Sequence, residues 1–239
     1  MAVELHTKLT GLPLVQLRSQ PLHARFLERP NRFVAHVRLR NGQTVKAHLP
    51  NPGRLTGTLS DGCAVLLDGP HPGRQCPFTM VAAREGKNTW VGTVTTYANR
   101  VFPVLHAARL FPELPRGTLR PEVVHGASRF DFALSDGYVE LKSVTLARDG
   151  TALFPDAVTE RGARHCDELG ALARKGAQVA VVFVAQRADV DAVAPEDEID
   201  PEFGKALRRA ARRGVKVMAC ALELGVHGAI HARRIPVLM

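Results

Sequence analysis

The sequence predicts an α+β protein in two parts, a small β-barrel or sandwich followed by an α/β layer domain. Two observations predict it. From Arg32 to about Val104 short β-type runs are punctuated by turn residues, at Asn41-Gly42, Asn51-Pro52-Gly53, Asp61-Gly62, Gly69-Pro70 and Glu85-Gly86. After about Pro112 strands alternate with helices, the grammar of layered α/β architecture. Between them Pro103 to Arg120 carries Pro103, Pro112, Pro115 and Gly117, so the domains are expected as 1–105 and 106–239.

Among the N-terminal elements, the clearest hairpin joins RFVAHVRLR and QTVKAHL through Asn41-Gly42. A two-residue loop would place Leu39 beside Thr44 and Val37 beside Lys46, which is no clean apolar side, so a bulge or a longer loop is expected. Val104 to Phe111 reads as helix-like. The C-terminal order is strand near Pro121–Val124, strand Arg129–Leu134, strand Tyr138–Val144, helix from Thr159 or Glu160 to Lys175, strand Gln178–Gln186, helix Pro201–Arg213 and strand Val215–Leu222. Gly176 and Gly214 follow basic residues at helix ends, and Pro201 follows Asp200 at a helix start.

With 239 residues, 45% of them hydrophobic and 23% charged, the chain can bury an ordinary core. No continuous apolar stretch marks a leader or a membrane span; the longest run, Val179–Ala185, is far too short. Cys63, Cys76, Cys166 and Cys220 are widely spread, which excludes a CxxC zinc site or a disulfide framework and suits a reducing cytoplasm. The formal net charge of +9 makes the surface attractive to polyanions, nucleic acid first among them.

The chemistry concentrates in SRFDFALSDGYVELKSV. With Asp136-Gly137 as a two-residue turn, Ala133 faces Glu140 and Asp131 faces Lys142. Then Asp131, Ala133, Glu140 and Lys142 share one sheet face, while Phe130, Phe132, Leu134, Val139 and Leu141 share the other. Two carboxylates beside a lysine suit a hard divalent ion, Mg²⁺ or Mn²⁺, with Asp131 and Glu140 as ligands, small Ala133 leaving room for it, and Lys142 orienting water or neutralising charge at phosphorus. The competing reading is an ordinary cross-strand salt bridge. Glu122, in a neighbouring strand, is either a third carboxylate or an exposed edge charge. Arg161 at a helix N-terminus opposes the dipole and hints at a phosphate partner, and His165 lies near it. Arg25, Arg29, Arg32, Arg38, Arg40, Lys46 and Arg54 supply charge for a nucleic-acid groove. Lys205, Arg208, Arg209, Arg212 and Arg213 form a basic helical stripe that is more ordinarily a solvated face. Stacking candidates are few: Phe26, Phe33 and Phe78.

The stretches RFVAHVRL, AHLPNPGRL, TYANRV, SRFDFAL, VELKSVTL, FPDAVTERGARH, FVAQRADV and DPEFGKALRRAARRGVKV, in this order over most of the chain, resemble the sugar fermentation stimulation protein A family. The resemblance implies an N-terminal OB-like barrel, a C-terminal domain similar to PD-(D/E)xK nucleases (restriction-endonuclease-like), and DNA as partner. It makes Asp131 the motif aspartate, Glu140 and Lys142 the Glu-x-Lys, and Glu122 an accessory acid. One departure is Pro52, where the family pattern usually has threonine, which bears on any ligand role for Asn51. The nucleic-acid contacts to be expected are therefore Arg25, Arg32, Asn51, Arg54, Arg161 and His165, on single- or double-stranded DNA without strong sequence preference; oligomeric state is left open, a homodimer included. Two function classes follow: a Mg²⁺- or Mn²⁺-dependent DNA nuclease, or a non-catalytic DNA-binding regulator of sugar (maltose) metabolism genes built on a nuclease scaffold. RNA binding through the barrel is a third, weaker for want of aromatics.

Overall fold

In the computed structural model, which describes residues 15–16, 20–126, 128–225, 227 and 229–239, the chain alternates as β1 (Val15–Gln16), β2 (Leu22–Asn31), β3 (Val34–Leu39), β4 (Thr44–His48), β5 (Ala64–Asp68), β6 (Phe78–Glu85), β7 (Thr89–Gly92), α1 (Tyr97–Ala107), β8 (Arg120–His125), β9 (Ser128–Leu134), β10 (Gly137–Val144), β11 (Ala147–Arg148), β12 (Thr151–Phe154), α2 (Glu160–Arg174), β13 (Gln178–Ala185), β14 (Ala192–Pro195), α3 (Pro201–Arg212), β15 (Lys216–Leu224) and β16 (Ala229–Ile235).

The N-terminal strands run in the order β4-β3-β2-β5-β6-β7, and a parallel pairing of β4 with β6 closes β2 to β6 into a five-stranded barrel. Ala35, Val37, Ala47, Val65, Leu67 and Met80 fill it. The first hairpin has the longer loop its pattern demands: Val37 pairs with Val45 and Arg38 with Thr44, leaving Arg40, Asn41 and Gly42 in the turn. One residue more than a two-residue loop moves every side chain of the second strand to the other face, and so aligns the apolar sets. Gly42 takes the φ of +86° that the turn requires and that a side chain would resist.

The C-terminal domain is built on a seven-stranded sheet, order β1-β16-β15-β13-β10-β9-β8, with β10, β13 and β15 parallel. Parallel strands need both faces covered, and their sequences are accordingly almost continuously apolar. One face packs against α1, where Phe102, Leu105, Phe111, Phe132, Val139 and Val182 are buried together with Leu66 and Ala82 of the barrel. The other carries α2 and α3, through Cys166, Leu169, Phe203, Leu207, Val181 and Phe183. The segment expected to link two domains is thus part of a shared core, and its helix starts earlier than the sequence reading, with Pro103 inside α1.

Asp200 aligns both helices on this face. Its Oδ1 accepts from the backbone N–H of Phe203 (2.9 Å), capping α3, and its Oδ2 accepts from that of Thr159 (2.7 Å) at the start of α2. A buried carboxylate between two positive helix ends satisfies free amides of both and ties the start of α2 to the start of α3. The barrel is pinned to the sheet by Arg187, which is 4% exposed and donates to Glu85, Asp189 and the Thr145 carbonyl. These hydrogen bonds raise its pKa against the opposing effect of burial.

Candidate active site and its carboxylate-lysine cluster

The hairpin that carries the cluster turns at Ser135-Asp136, because Gly137 pairs with Leu134, Tyr138 with Ala133 and Val139 with Phe132. This corrects the expected register: Ala133 faces Tyr138, not Glu140, and the ladder advances so that Asp131 lies next to the Glu140–Leu141 end rather than opposite Lys142. The shift is by two residues in the pairing, so the faces are conserved. Gly137 sits where a Cβ would come within 1.7 Å of the Gln178 carbonyl, which explains a glycine at the start of the strand rather than within the turn.

Asp131 departs from the expected alternation. Phe132 and Leu134 belong to the α1 side, but Phe130 lies in the α2 side core, edge-on to His165 with ring centroids 5.6 Å apart. Between them the Asp131 carboxylate enters the gap between strands: Oδ2 accepts from the Leu141 backbone N–H (2.7 Å) and Oδ1 from the Asn99 amide of α1 (2.8 Å). Burial and the neighbouring Glu140 charge raise its pKa, opposed by these two donors and by Lys142.

Glu140 is 6% exposed and Lys142 8%, on the α2 side of β10. Lys142 Nζ donates to Glu140 Oε1 (2.8 Å), so the salt bridge runs along the strand and not across to Asp131. His165 Nδ1 lies 2.7 Å from the same Oε1. Arg161 Nε donates to His165 Nε2 (3.4 Å). A guanidinium can only donate, so Nε2 accepts and the proton sits on Nδ1, facing Glu140. Burial pushes the Glu140 pKa up, but the hydrogen bond from His165 and the Lys142 charge outweigh it and hold the carboxyl below its ordinary range. Both donors converge on Oε1; Oε2 is buried without any hydrogen-bond partner. Among the described residues no three His, Cys, Asp or Glu side chains converge as a ready-made metal cage.

The remaining predicted residues scatter. Glu122 lies between the pairs Pro121–Phe132 and Val123–Phe130, at φ +55°, and its half-exposed carboxylate is ion-paired to Arg129 at 3.0 Å. By register it stands opposite Asp131, but its carboxylate is exposed and engaged by Arg129, the edge charge that the sequence reading kept as the alternative to an accessory acid. His165, expected at a nucleic-acid surface, is 1% exposed and is instead a partner of Glu140. Arg25 donates to the Gly62 carbonyl and is exposed, as are Arg32 and Arg54. Asn51 is buried, its Oδ1 accepting from the Gly53 N–H (2.9 Å) in a turn that Pro52, exposed, does not disturb. Arg29 holds this turn by donating to the carbonyls of Asn51, Gly53 and Arg54, and the Arg54 N–H donates to Asp156 (2.9 Å). Asn51, Gly53, Thr95, Ser143, Asp156 and Thr159 thereby line a cleft of about 260 Å³ between barrel and sheet, beside the carboxyl end of β10. The α3 stripe is largely neutralised: Arg208 pairs with Asp197, Arg209 and Arg213 with Asp167, and Lys205 with Glu202. Asn99 escaped the sequence reading, although it lies in the quoted TYANRV stretch; His165 is detectable as the residue one helical turn after Arg161.

A closed five-stranded barrel joined to an α/β domain with a buried carboxylate-lysine cluster on its central sheet defines the class of protein. Residues 27–93 match the family model for the SfsA N-terminal OB domain, and residues 96–228 that for the sugar fermentation stimulation protein RE domain. The chain is 41% identical to the sugar fermentation stimulation protein homolog of Symbiobacterium thermophilum over 94% of its own length and 96% of that protein's. It is likewise 41% identical to the homolog of Pseudomonas aeruginosa PAO1, over 91% of this chain and 97% of that one. Its fold is similar to the solved structure of Pyrococcus furiosus SfsA in complex with Ca²⁺, with a TM-score of 0.87 and 27% identity, covering 96% of this chain and all of that one. The chain belongs to the sugar fermentation stimulation protein (SfsA) family.

Proposed function

We propose that the protein is a divalent-metal-dependent phosphodiesterase acting on DNA, with Asp131, Glu140 and Lys142 as its centre and Mg²⁺ or Mn²⁺ as the ion. The observation that carries the reading is Glu140 Oε2, a buried carboxylate oxygen with no partner beside a buried lysine and a second carboxylate. An orphaned oxygen of this kind costs roughly 1–3 kcal/mol unless something binds it, and a hard cation is its natural partner. The Pyrococcus furiosus relative was solved with Ca²⁺, another ion that takes oxygen ligands.

In this reading Glu140 Oε2 and the Asp131 carboxylate would hold the ion, which would supply Lewis-acid polarisation of a phosphate oxygen and a more acidic water. Lys142 and His165 fix Glu140 by occupying Oε1, so that Oε2 is the oxygen presented. Lys142, once Glu140 is engaged, places an ammonium beside the phosphorus, where negative charge grows. Arg161, held to His165 at the start of α2, adds positive charge at a helix N-terminus suited to a phosphate. The exposed Arg25, Arg32 and Arg54 of the barrel would supply part of the positive surface that attracts DNA.

One observation favours a non-catalytic DNA-binding regulator: both Asp131 oxygens already have protein donors. Cleavage of single- and double-stranded DNA with Mg²⁺ or Mn²⁺, beside Asp131→Ala and Lys142→Ala preparations, separates the two. Cleavage by the wild type alone supports the enzyme; none on any substrate, with binding retained, supports the regulator.

A further inference from the structure

Two helices reach the carboxylate cluster, one from each face of the sheet, and each holds one carboxylate. From α2, His165 meets Glu140. From α1, Asn99 Nδ2 donates to Asp131 Oδ1 at 2.8 Å, and among the described residues Asn99 is the one side chain of α1 hydrogen-bonded to the cluster. The orientation of the amide follows from its partner, since an ionised carboxylate only accepts.

Asn99 stands on a fixed support. Ala98, Val101, Phe102 and Leu105 of the same helix are buried in the core that barrel and sheet share. The segment leading into α1 is tied to the barrel side: the Thr93 hydroxyl donates to the Met80 carbonyl (2.7 Å), and the hydroxyl and N–H of Thr95 both donate to the Pro50 carbonyl (3.2 and 3.3 Å). An amide on the first turn of a helix anchored in this way is held from behind, as a group that orients another must be.

Asp131 needs such a hold, because the charge of neighbouring Glu140 repels it. The Leu141 N–H fixes Oδ2 and the Asn99 amide fixes Oδ1. An ionised carboxylate has about four lone-pair sites, so one donor on each oxygen leaves room on both for a cation. We infer that Asn99 is a positioning residue for the ion site, holding Asp131 beside Glu140 against their repulsion so that the site is built before the ion arrives. The inference rests on the metal centre of the phosphodiesterase reading and concerns binding of the ion rather than cleavage.

The test uses Mn²⁺ alone, added to the full chain without DNA, with the free ion counted by its electron paramagnetic resonance signal. Asn99→Leu keeps the volume and removes the donor; it is expected to weaken Mn²⁺ binding by about tenfold to a hundredfold, the usual effect of removing a group that orients a metal ligand. In an Asp131→Ala background the same substitution should change affinity less than about twofold, because the group through which it acts is gone. Val101→Ala opens a cavity on the buried face of the same helix and should also leave affinity within about twofold. Unchanged binding by Asn99→Leu, an equal loss with and without Asp131, or an equal loss from Val101→Ala would each overturn the role of Asn99. Absence of Mn²⁺ binding by the wild type would instead overturn the ion centre, and this inference would fall with it.

Discussion

Among the described residues, the charge clusters around buried Arg187 and buried Glu140 differ in their hydrogen-bond inventory. Around Arg187 every guanidinium nitrogen has a partner: Nε donates to Asp189, Nη1 to Glu85 and the Thr145 carbonyl, and Nη2 to Glu85 and Asp189. Around Glu140 the donors crowd onto Oε1 and leave Oε2 bare. A fully satisfied buried network rigidifies, here fastening the barrel to the sheet. An incompletely satisfied one is tolerated where a ligand completes it, and stability is given up for function. The contrast teaches that burial and charge do not distinguish the two; the hydrogen-bond inventory does.

The comparison is broken most directly by substitution at Lys142. Lys142→Ala should reduce metal-dependent cleavage by a hundredfold to a thousandfold, the usual effect of removing one group that stabilises transition-state charge; a wild-type rate would take Lys142 out of the chemistry. At the other cluster, Arg187→Ala should destabilise the fold by about 3 kcal/mol in urea unfolding, since it removes four hydrogen bonds to the Glu85 and Asp189 carboxylates. Glu140→Gln should cost less, about 1–2 kcal/mol, because it keeps an acceptor at Oε1 and relieves repulsion with Asp131 while giving up the charge that offsets buried Lys142. Equal losses at the two sites would erase the distinction.

Smaller effects sharpen it. Mg²⁺ or Mn²⁺ at a hundred times its dissociation constant should stabilise the wild type by about 2.7 kcal/mol and Glu140→Gln not at all, with Arg187→Ala responding like the wild type in thermal unfolding. Full stabilisation of Glu140→Gln would place the ion elsewhere. The smallest change concerns pH. The hydrogen bond from Arg187 holds the Asp189 carboxyl below its ordinary range, against burial. A depressed folded-state pKa contributes stability that is present above the unfolded pKa and disappears as pH falls through the folded one, so Asp189→Asn should flatten the acid limb of the stability profile and leave its alkaline side unchanged. An unaltered acid limb would assign acid sensitivity to other carboxylates.

The path from residues to site was uneven. The apolar alternation in SRFDFAL and YVELKSV was enough to place the charged set of β10 on one face, and an error of two residues in pairing left that conclusion intact because the side-chain period is two. The same alternation failed at Phe130 and Glu122, where β8 and β9 distort, and Glu122 turned outward to Arg129. In the first hairpin the mismatch of a two-residue loop correctly required a longer one, since that register would have set Lys46 and Thr44 against Val37 and Leu39. Net charge did not say which cations are paired: Arg208 and Arg209 of α3 are held by Asp197 and Asp167, whereas Arg25, Arg38 and Arg84 of the barrel form no ion pair among the described residues.

The sequence by itself determined the two-part architecture and placed Glu140 and Lys142 on one face of their strand, because strand period, turn chemistry and helix capping are local and act over a few residues. Tertiary structure decided the rest. Asn99 meets Asp131 across 32 residues of chain, His165 meets Glu140 across 25, and Arg187 meets Glu85 across 102. Which oxygen of Glu140 is left bare, and which arginines keep their charge free, depends on such distant partners, and no local pattern of apolar and polar residues encodes them.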